Sequence, residues 1–248
     1  MLLALTGLAA AAAASYAGYA SMAPQSQLYG RTLTHGSDPR QMALTFDDGP
    51  NDPHTQHLLD VLHKYGAKAT FFLIGKYVRQ HPEIVRAIKD AGHTIANHTF
   101  THPNLIFASP ARVRLELENC RNALEDAIGD HAPLFRPPFG GRLPHVLRTC
   151  RALGLTPVLW SVTAYDWNAD SPESIVDHVL RQVERNKSRG EIVLLHDGGH
   201  LAFGADRAHT VEATRRLLER YSTQGKEFVA IPDLKESGDP RRAGTGRA

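Results

Sequence analysis

Short runs of apolar, β-branched and aromatic residues recur along the chain and alternate with amphipathic stretches. The runs are MALTF, ATFFLIG, HTIAN, PLFRP, TPVLWSV, EIVLLH and EFVAI. Most are continuously apolar, the pattern of parallel strands that need cover on both faces. Between them lie HTQHLLDVLHKYG, HPEIVRAIKDAG, SPARVRLELENCRNALEDAIG, LPHVLRTCRALG, SPESIVDHVLRQVERN and AHTVEATRRLLERYSTQG, with apolar positions at helical spacing. Several open on Ser-Pro or His-Pro and close at Gly. Proline at the first helical position gives up an N–H that has no partner anyway, and Gly accepts the left-handed turn that ends a helix. Seven strands alternating with six helices predict one α/β domain, as an open doubly wound sheet or a (β/α) barrel.

Composition narrows this picture. A chain of 248 residues, 42% hydrophobic and 22% charged, is long enough for one sizeable core without disulfide staples. The net charge of +2, with acids and bases interspersed, gives no reason to expect nucleic acid or an anionic membrane surface as partner. The opening MLLALTGLAAAAAASYAGYASMAPQ is an apolar run followed by small residues around Gly18, Ala20 and Ala23. It reads as a signal peptide or weak membrane anchor over residues 1–25, and predicts an exported protein of the periplasm, envelope or exterior. The folded domain is then expected over residues 38–235, with residues 236–248 a disordered tail. Cys120 and Cys150 each sit in a helical stretch and are expected as free buried thiols rather than a bridge.

The conspicuous polar residues occupy equivalent places. Asp47 and Asp48 end the first strand, His98 ends the third with His102 just beyond, and Arg136 ends the fourth. Asp166 and Trp167 follow the fifth, and His196 and Asp197 end the sixth. All are C-terminal strand ends, where parallel sheets and barrels carry their chemistry. In HTFTHP, His98 and His102 stand four apart, so one helical turn would bring both imidazoles to one face before Pro103 ends it. Two histidines and a carboxylate make a catalytic zinc set with a position left for water, and cobalt, nickel or manganese can use the same donors. TFDDGP supplies two acids where a turn needs one. Successive strand residues point to opposite faces, so one acid can ligate a metal while the other takes a proton from attacking water.

In RPPFGG the prolines have no N–H, so Phe139 offers the first free backbone donor, placed to hold an oxyanion. Arg136 can pair with a carboxylate there. LLHDGGH puts His196 after a wholly apolar strand, where it can protonate a leaving amine near neutral pH. His200, four residues on, competes for the same reading, whereas His54, His63, His131 and His209 read as surface or structural.

TFDDGP, HTFTHP, RPPFG and LLHDG, in this order, resemble the polysaccharide deacetylase family over residues 40–235. The resemblance implies a distorted (β/α) barrel with fewer than eight strands. It also implies metal-dependent removal of N-acetyl groups from chitin, chitooligosaccharides or peptidoglycan, with the acetylated glycan as partner; a monomer is the default expectation. Asp47 would be the catalytic base, and Asp48, His98 and His102 would hold Zn2+ or another divalent ion. Arg136 would orient Asp47, the Phe139 N–H would join the oxyanion site, and His196 would be the general acid. Asp166, in YDWNAD, would tether His196, while Trp167 and Leu194 would wall the pocket for the acetyl methyl. The chain departs from the family in carrying Thr163 or Ala164 where many members have an acid, and Phe139 where Tyr is common.

Three other activities use related parts. Hydrolysis of an O-acetyl ester such as acetylxylan, of a formamide on a lipid-linked sugar or of a cyclic amide would need the same residues. A metal-dependent carbohydrate-binding protein would need the metal but neither the base nor His196. A glycosidase would need its two acids roughly 5–9.5 Å apart across a sugar ring.

Overall fold

The computed structural model describes residues 14–236, so the first part of the leader and the tail beyond Glu236 lie outside the described residues. The strands are β1 (His35–Gly36), β2 (Gln41–Gly49), β3 (Ala69–Leu73), β4 (Thr94–Asn97), β5 (Leu134–Phe135), β6 (Thr156–Pro157), β7 (Val162–Thr163), β8 (Gly190–His196) and β9 (Glu227–Phe228). The helices are α1 (His54–Lys64), α2 (Gly75–Gln80), α3 (Pro82–Asp90), α4 (Pro110–Ile128), α5 (Pro144–Ala152), α6 (Pro172–Arg185) and α7 (Ala208–Ser222). Helix starts follow the expected chemistry: Ser109 caps α4 by accepting from the Arg112 N–H, and Ser171 caps α6 by accepting from the Ser174 N–H. Gly129 ends α4 at φ 65°, a left-handed value that a Cβ would strain.

The strand order is β1-β8-β2-β3-β4-β5-β6, with β7 added on β8 and β9 on β2. Every pairing is parallel except that of β1 with β8. The sheet curls until the chain before β1 meets the chain after β6 in one parallel bridge, Leu33 to Val158. This is the distorted barrel that the family resemblance implies, and of the two arrangements the strand count allows it rules out the open doubly wound sheet. The sequence run TPVLWSV does not form one strand; it divides between β6, which pairs β5, and β7, which pairs β8. The short antiparallel β1 and the helix α2 carry no periodic signal long enough to read.

Parity along the strands separates two apolar layers. Met42, Leu44 and Phe46 of β2, with Val193 and Leu195 of β8, join the layer packed under the helices. Ala43 of β2, Phe72 of β3 and Ile192 and Leu194 of β8 join the layer inside the barrel. The inner row of β2 therefore continues 43, 45, 47, and that of β8 continues 192, 194, 196. Asp47 and His196 are register partners on these adjacent strands. Alternation alone thus brings both to the inner face at the barrel mouth.

The folded body begins earlier than residue 25. Ala20 is fully buried, and Gln25 Nε2 donates to the Trp160 carbonyl at 2.6 Å. Cys120 and Cys150 are free and buried, and burial pushes both thiols up to about 12. Among the described residues no helix is long and apolar enough to cross a membrane.

Candidate active site

Asp48 does not follow the strand alternation. It sits at φ 72°, in a bulge where the β2–β3 register shifts between Asp47 and Gly49. The bulge re-aims its side chain, as an extra residue in a ladder does. Both carboxylates consequently reach one imidazole: His98 Nε2 lies 3.7 Å from Asp47 Oδ2 and 3.5 Å from Asp48 Oδ1. Both carboxylates thus face a common imidazole, whereas a glycosidase needs its two acids to face a sugar ring.

The histidine pair comes together without the helical turn its spacing suggests. Residues 98–103 are a loop, with Thr99 at φ 66° and His102 at φ 61°. These left-handed residues fold the segment back on itself, and Glu116 of α4 holds it by accepting from the Phe100 and Thr101 N–H groups at 2.9 and 2.7 Å. The His98 and His102 rings lie 4.9 Å apart between centroids. His98 Nδ1 donates to the Arg136 carbonyl at 2.8 Å, which fixes the tautomer and frees Nε2 as a ligand atom.

Asp48 carries the marks of a metal ligand. Its carboxyl is buried, and Oδ1 has no hydrogen-bond donor among the described residues despite His102 Nε2 at 3.1 Å. Burial opposes its ionisation, but the imidazoles of His102, His200 and His98 outweigh burial and hold it well below the ordinary carboxylate range. Burial pulls the His102 imidazole down, so it is held neutral, the form that ligates. A carboxylate with an unsatisfied buried oxygen beside imidazole nitrogens suits a divalent ion of the zinc type. Asp48, His98 and His102 could serve as its ligands, although the compact group of ligand atoms among the described residues is Asp48, His102 and His200, without His98.

His200 enters the same group. Its Nδ1 lies 3.6 Å from Asp48 Oδ2, its ring stacks on His102 at 4.6 Å, and ligand atoms of Asp48, His102 and His200 all fall within 4.8 Å of one another. The sequence offers a single cue to it, its place four residues after His196.

Arg136 is fully buried and binds Asp47. Its Nη1 donates to Asp47 Oδ1 at 2.6 Å and to Thr45 Oγ1 at 2.8 Å, and its Nη2 donates to the Leu159 carbonyl at 3.1 Å. The guanidinium lies on Phe72, 4.0 Å from the ring centroid. One oxygen of Asp47 is thereby tied, and Oδ2 stays free of a strong donor.

His196 is held by Asp166 through both carboxylate oxygens. Oδ1 meets His196 Nδ1 at 2.8 Å, while Oδ2 accepts from the His196 backbone N–H at 2.7 Å and from Thr210 Oγ1 at 2.9 Å. An ionised carboxylate only accepts, so Nδ1 carries a proton and Nε2 is the reactive end. Burial opposes protonation of the ring, but the charge and hydrogen bond of Asp166 prevail and raise it to about 9. The missing acid near Thr163 therefore does not leave His196 loose. Neighbouring Asp197 is fully buried and raised to about 7 by burial; Thr55 Oγ1 donates to it at 2.5 Å.

Asp47, Asp48, His98, His102, His196 and His200 line one cavity of about 470 Å3, whose lining does not include Arg136, Asp166 or Asp197. Its apolar walls include Leu194, Trp160, Phe139 and Trp167, the last meeting His196 edge-on at 5.1 Å. Trp160 was not legible as a wall because it falls where one predicted strand divides. Phe139 follows the two prolines in a 3-10 turn, at φ 58°. In that turn Gly140 and Gly141 N–H donate to the Pro137 and Pro138 carbonyls, and the Phe139 N–H takes no part.

The sequence profile of the polysaccharide deacetylase family matches residues 35–158. A peptidoglycan-N-acetylglucosamine deacetylase of Bacillus cereus is 37% identical over 78% of this chain and 87% of its own length. A chitooligosaccharide deacetylase of Rhizobium leguminosarum bv. trifolii is 36% identical over 79% of this chain and 93% of its own. Among solved structures, a peptidoglycan N-acetylglucosamine deacetylase bound to an N-hydroxybenzamide superposes with a TM-score of 0.74 and 31% identity, over 83% of this chain and 93% of that one. A family 4 carbohydrate esterase from Streptomyces lividans, in complex with acetate, gives 0.66 and 35% over 75% of this chain and 90% of its own. With barrel and sequence in agreement, this chain belongs to the polysaccharide deacetylase family.

Proposed function

We propose that this chain is an exported hydrolase that removes N-acetyl groups from an N-acetylglucosamine-containing glycan, peptidoglycan or chitooligosaccharide, releasing acetate. The observation that carries the reading is the pairing of Asp47 and His196 across one strand register, beside a buried Asp/His cluster, in an apolar-walled cavity. Asp48, His98 and His102 would hold a divalent ion, zinc by preference. When bound, that ion supplies Lewis acidity for polarising an acyl carbonyl and activating water.

The remaining chemistry falls to the protein. Asp47 Oδ2, left free while Arg136 ties Oδ1, takes the proton of the attacking water. Arg136 also fixes the direction of that carboxylate. The Phe139 N–H, carried on a turn it does not help to bond, stabilises the oxyanion of the tetrahedral intermediate. His196, protonated at neutral pH because Asp166 faces Nδ1, gives its Nε2 proton to the departing amine. The C–N bond breaks, water supplies the acetate hydroxyl, and a free amino sugar leaves. Leu194, Trp167 and Trp160 enclose the acetyl methyl in an apolar pocket that does not suit a charged acyl group.

The reading is tested by acetate release from a parallel panel of chitooligosaccharides, N-acetylated peptidoglycan and acetylated xylan. Acetate from an amide-bearing glycan is the expected result. Release from the xylan ester alone, or new reducing ends without acetate, would replace this reading.

A further inference from the structure

Arg142 directly follows the RPPFGG turn, is 1% exposed, and has no carboxylate within ion-pair distance among the described residues. Its donors go to carbonyls instead. The backbone N–H and Nη1 reach the Ser21 carbonyl at 3.0 and 3.4 Å, and Nη2 reaches those of Ala23 and Ser26 at 2.7 and 2.8 Å. Nη1 also donates to the Gly140 carbonyl at 3.0 Å. A buried cation without counter-charge is costly unless dipoles surround it, and three of these four carbonyls come from residues 21–26.

The turn that Arg142 grips needs outside support. Phe139 at φ 58° and Gly140 at φ 69° are consecutive left-handed residues, and the first is not glycine. Such strain persists only where neighbours over-determine it. Proline rigidity holds one side of the turn. Trp160 closes in from above Gly140, where a Cβ would meet its ring at 2.9 Å. Arg142 holds the Gly140 carbonyl, and the Trp160 carbonyl is in turn held by Gln25. Residues 20–26 therefore touch both supports of the Phe139 turn.

We infer that residues 20–26 are a permanent strap of the active site, and that Arg142 is the positioning residue through which the strap fixes the Phe139 N–H. The inference rests on the oxyanion role given to that N–H above. It also sets a limit on processing. Of the small residues that could mark a cleavage site, Gly18 and Ala20 leave every strap carbonyl in place, whereas a cut after Ala23 removes those of Ser21 and Ala23.

The test has two arms on the full chain. In the first, Arg142→Met and Arg142→Lys are compared with wild type on the panel's best substrate. Loss of an aligned transition-state donor lowers kcat by about tenfold to a hundredfold with KM within about twofold. The Lys variant, able to serve only part of the carbonyl set, falls between. A change in KM alone, or wild-type kcat in Arg142→Met, overturns the inference. In the second arm, the N-terminus of the protein recovered from its own cells is mapped by mass spectrometry. A mature chain that retains Ser21 supports the strap, and one that lacks it overturns the strap, even if the Arg142 variants fail to fold. Wild-type protein that releases no acetate would count against the proposed function, while the second arm still judges the strap.

Discussion

Asp166→Asn tests how His196 is charged. The imidazole stands at about 9 against an ordinary 6.5, a preference for the imidazolium of about 3 kcal/mol. Burial works against that preference, and Asp166 is the largest favourable influence, with Asp48 and Asp47 behind it. An isosteric amide removes the charge and can still accept from the His196 backbone N–H and Thr210. It then presents its NH2 to Nδ1, which favours the neutral ring. An opposite charge at hydrogen-bond distance typically moves a pKa by about 1–3 units, so the basic limb of the rate profile should move down by about two. The assay is kcat/KM for acetate release between pH 5 and 10, with both proteins carrying the same metal. Both proteins should lose activity as pH rises through the His196 pKa, the variant at about two pH units below wild type. A basic limb that stays in place, at any overall rate, would refute His196 as the acid held by Asp166.

Three further changes probe other parts of the site. Asp47→Asn removes the proton acceptor but no proposed ligand, so turnover should vanish while metal content by elemental analysis is unchanged; near-normal turnover would remove Asp47 as base. Asp197 is a carboxyl whose folded pKa is raised from 3.8 to about 7, so the stability it lends is full below 3.8 and lost as pH rises through 7. Asp197→Asn should therefore raise the thermal midpoint of metal-free protein by a few degrees at pH 8, with the gap closing toward pH 4; a gap independent of pH would contradict this. At Gly49 a Cβ would lie 2.3 Å from Asp197 Oδ2, so Gly49→Ala must displace either the buried Asp197 carboxyl or the strand end that carries Asp48. A loss of about 1–3 kcal/mol by denaturant titration, with weakened metal retention, is expected.

The parallel sheet and the grouping at its strand ends were legible because they follow from periodicity. Periodicity allowed an open sheet or a barrel alike; the barrel came from the family resemblance. Apolar runs fix the strands, parity puts Asp47 and His196 on one inner row, and strand ends collect Arg136, His98 and Asp166. What escaped is set by departures from periodicity. The bulge at Asp48 and the left-handed Thr99 and His102 replace the simple alternation and the helical turn that spacing suggests. None is glycine, so no residue type announces them. His200 and Trp160 reach the cavity through a loop and a divided strand. The strap at residues 20–26 was hidden for another reason: small apolar residues serve export and close packing equally, and the groups Arg142 reads there are backbone carbonyls.

The most direct test of the site is acetate release by the same protein before chelation, after chelation, and after zinc is returned, with Asp48→Asn alongside. Release that chelation stops and zinc restores, and that Asp48→Asn lacks at equal zinc, is the expected result. Undiminished release from protein shown to be free of metal would contradict hydrolysis at the Asp48, His98 and His102 site.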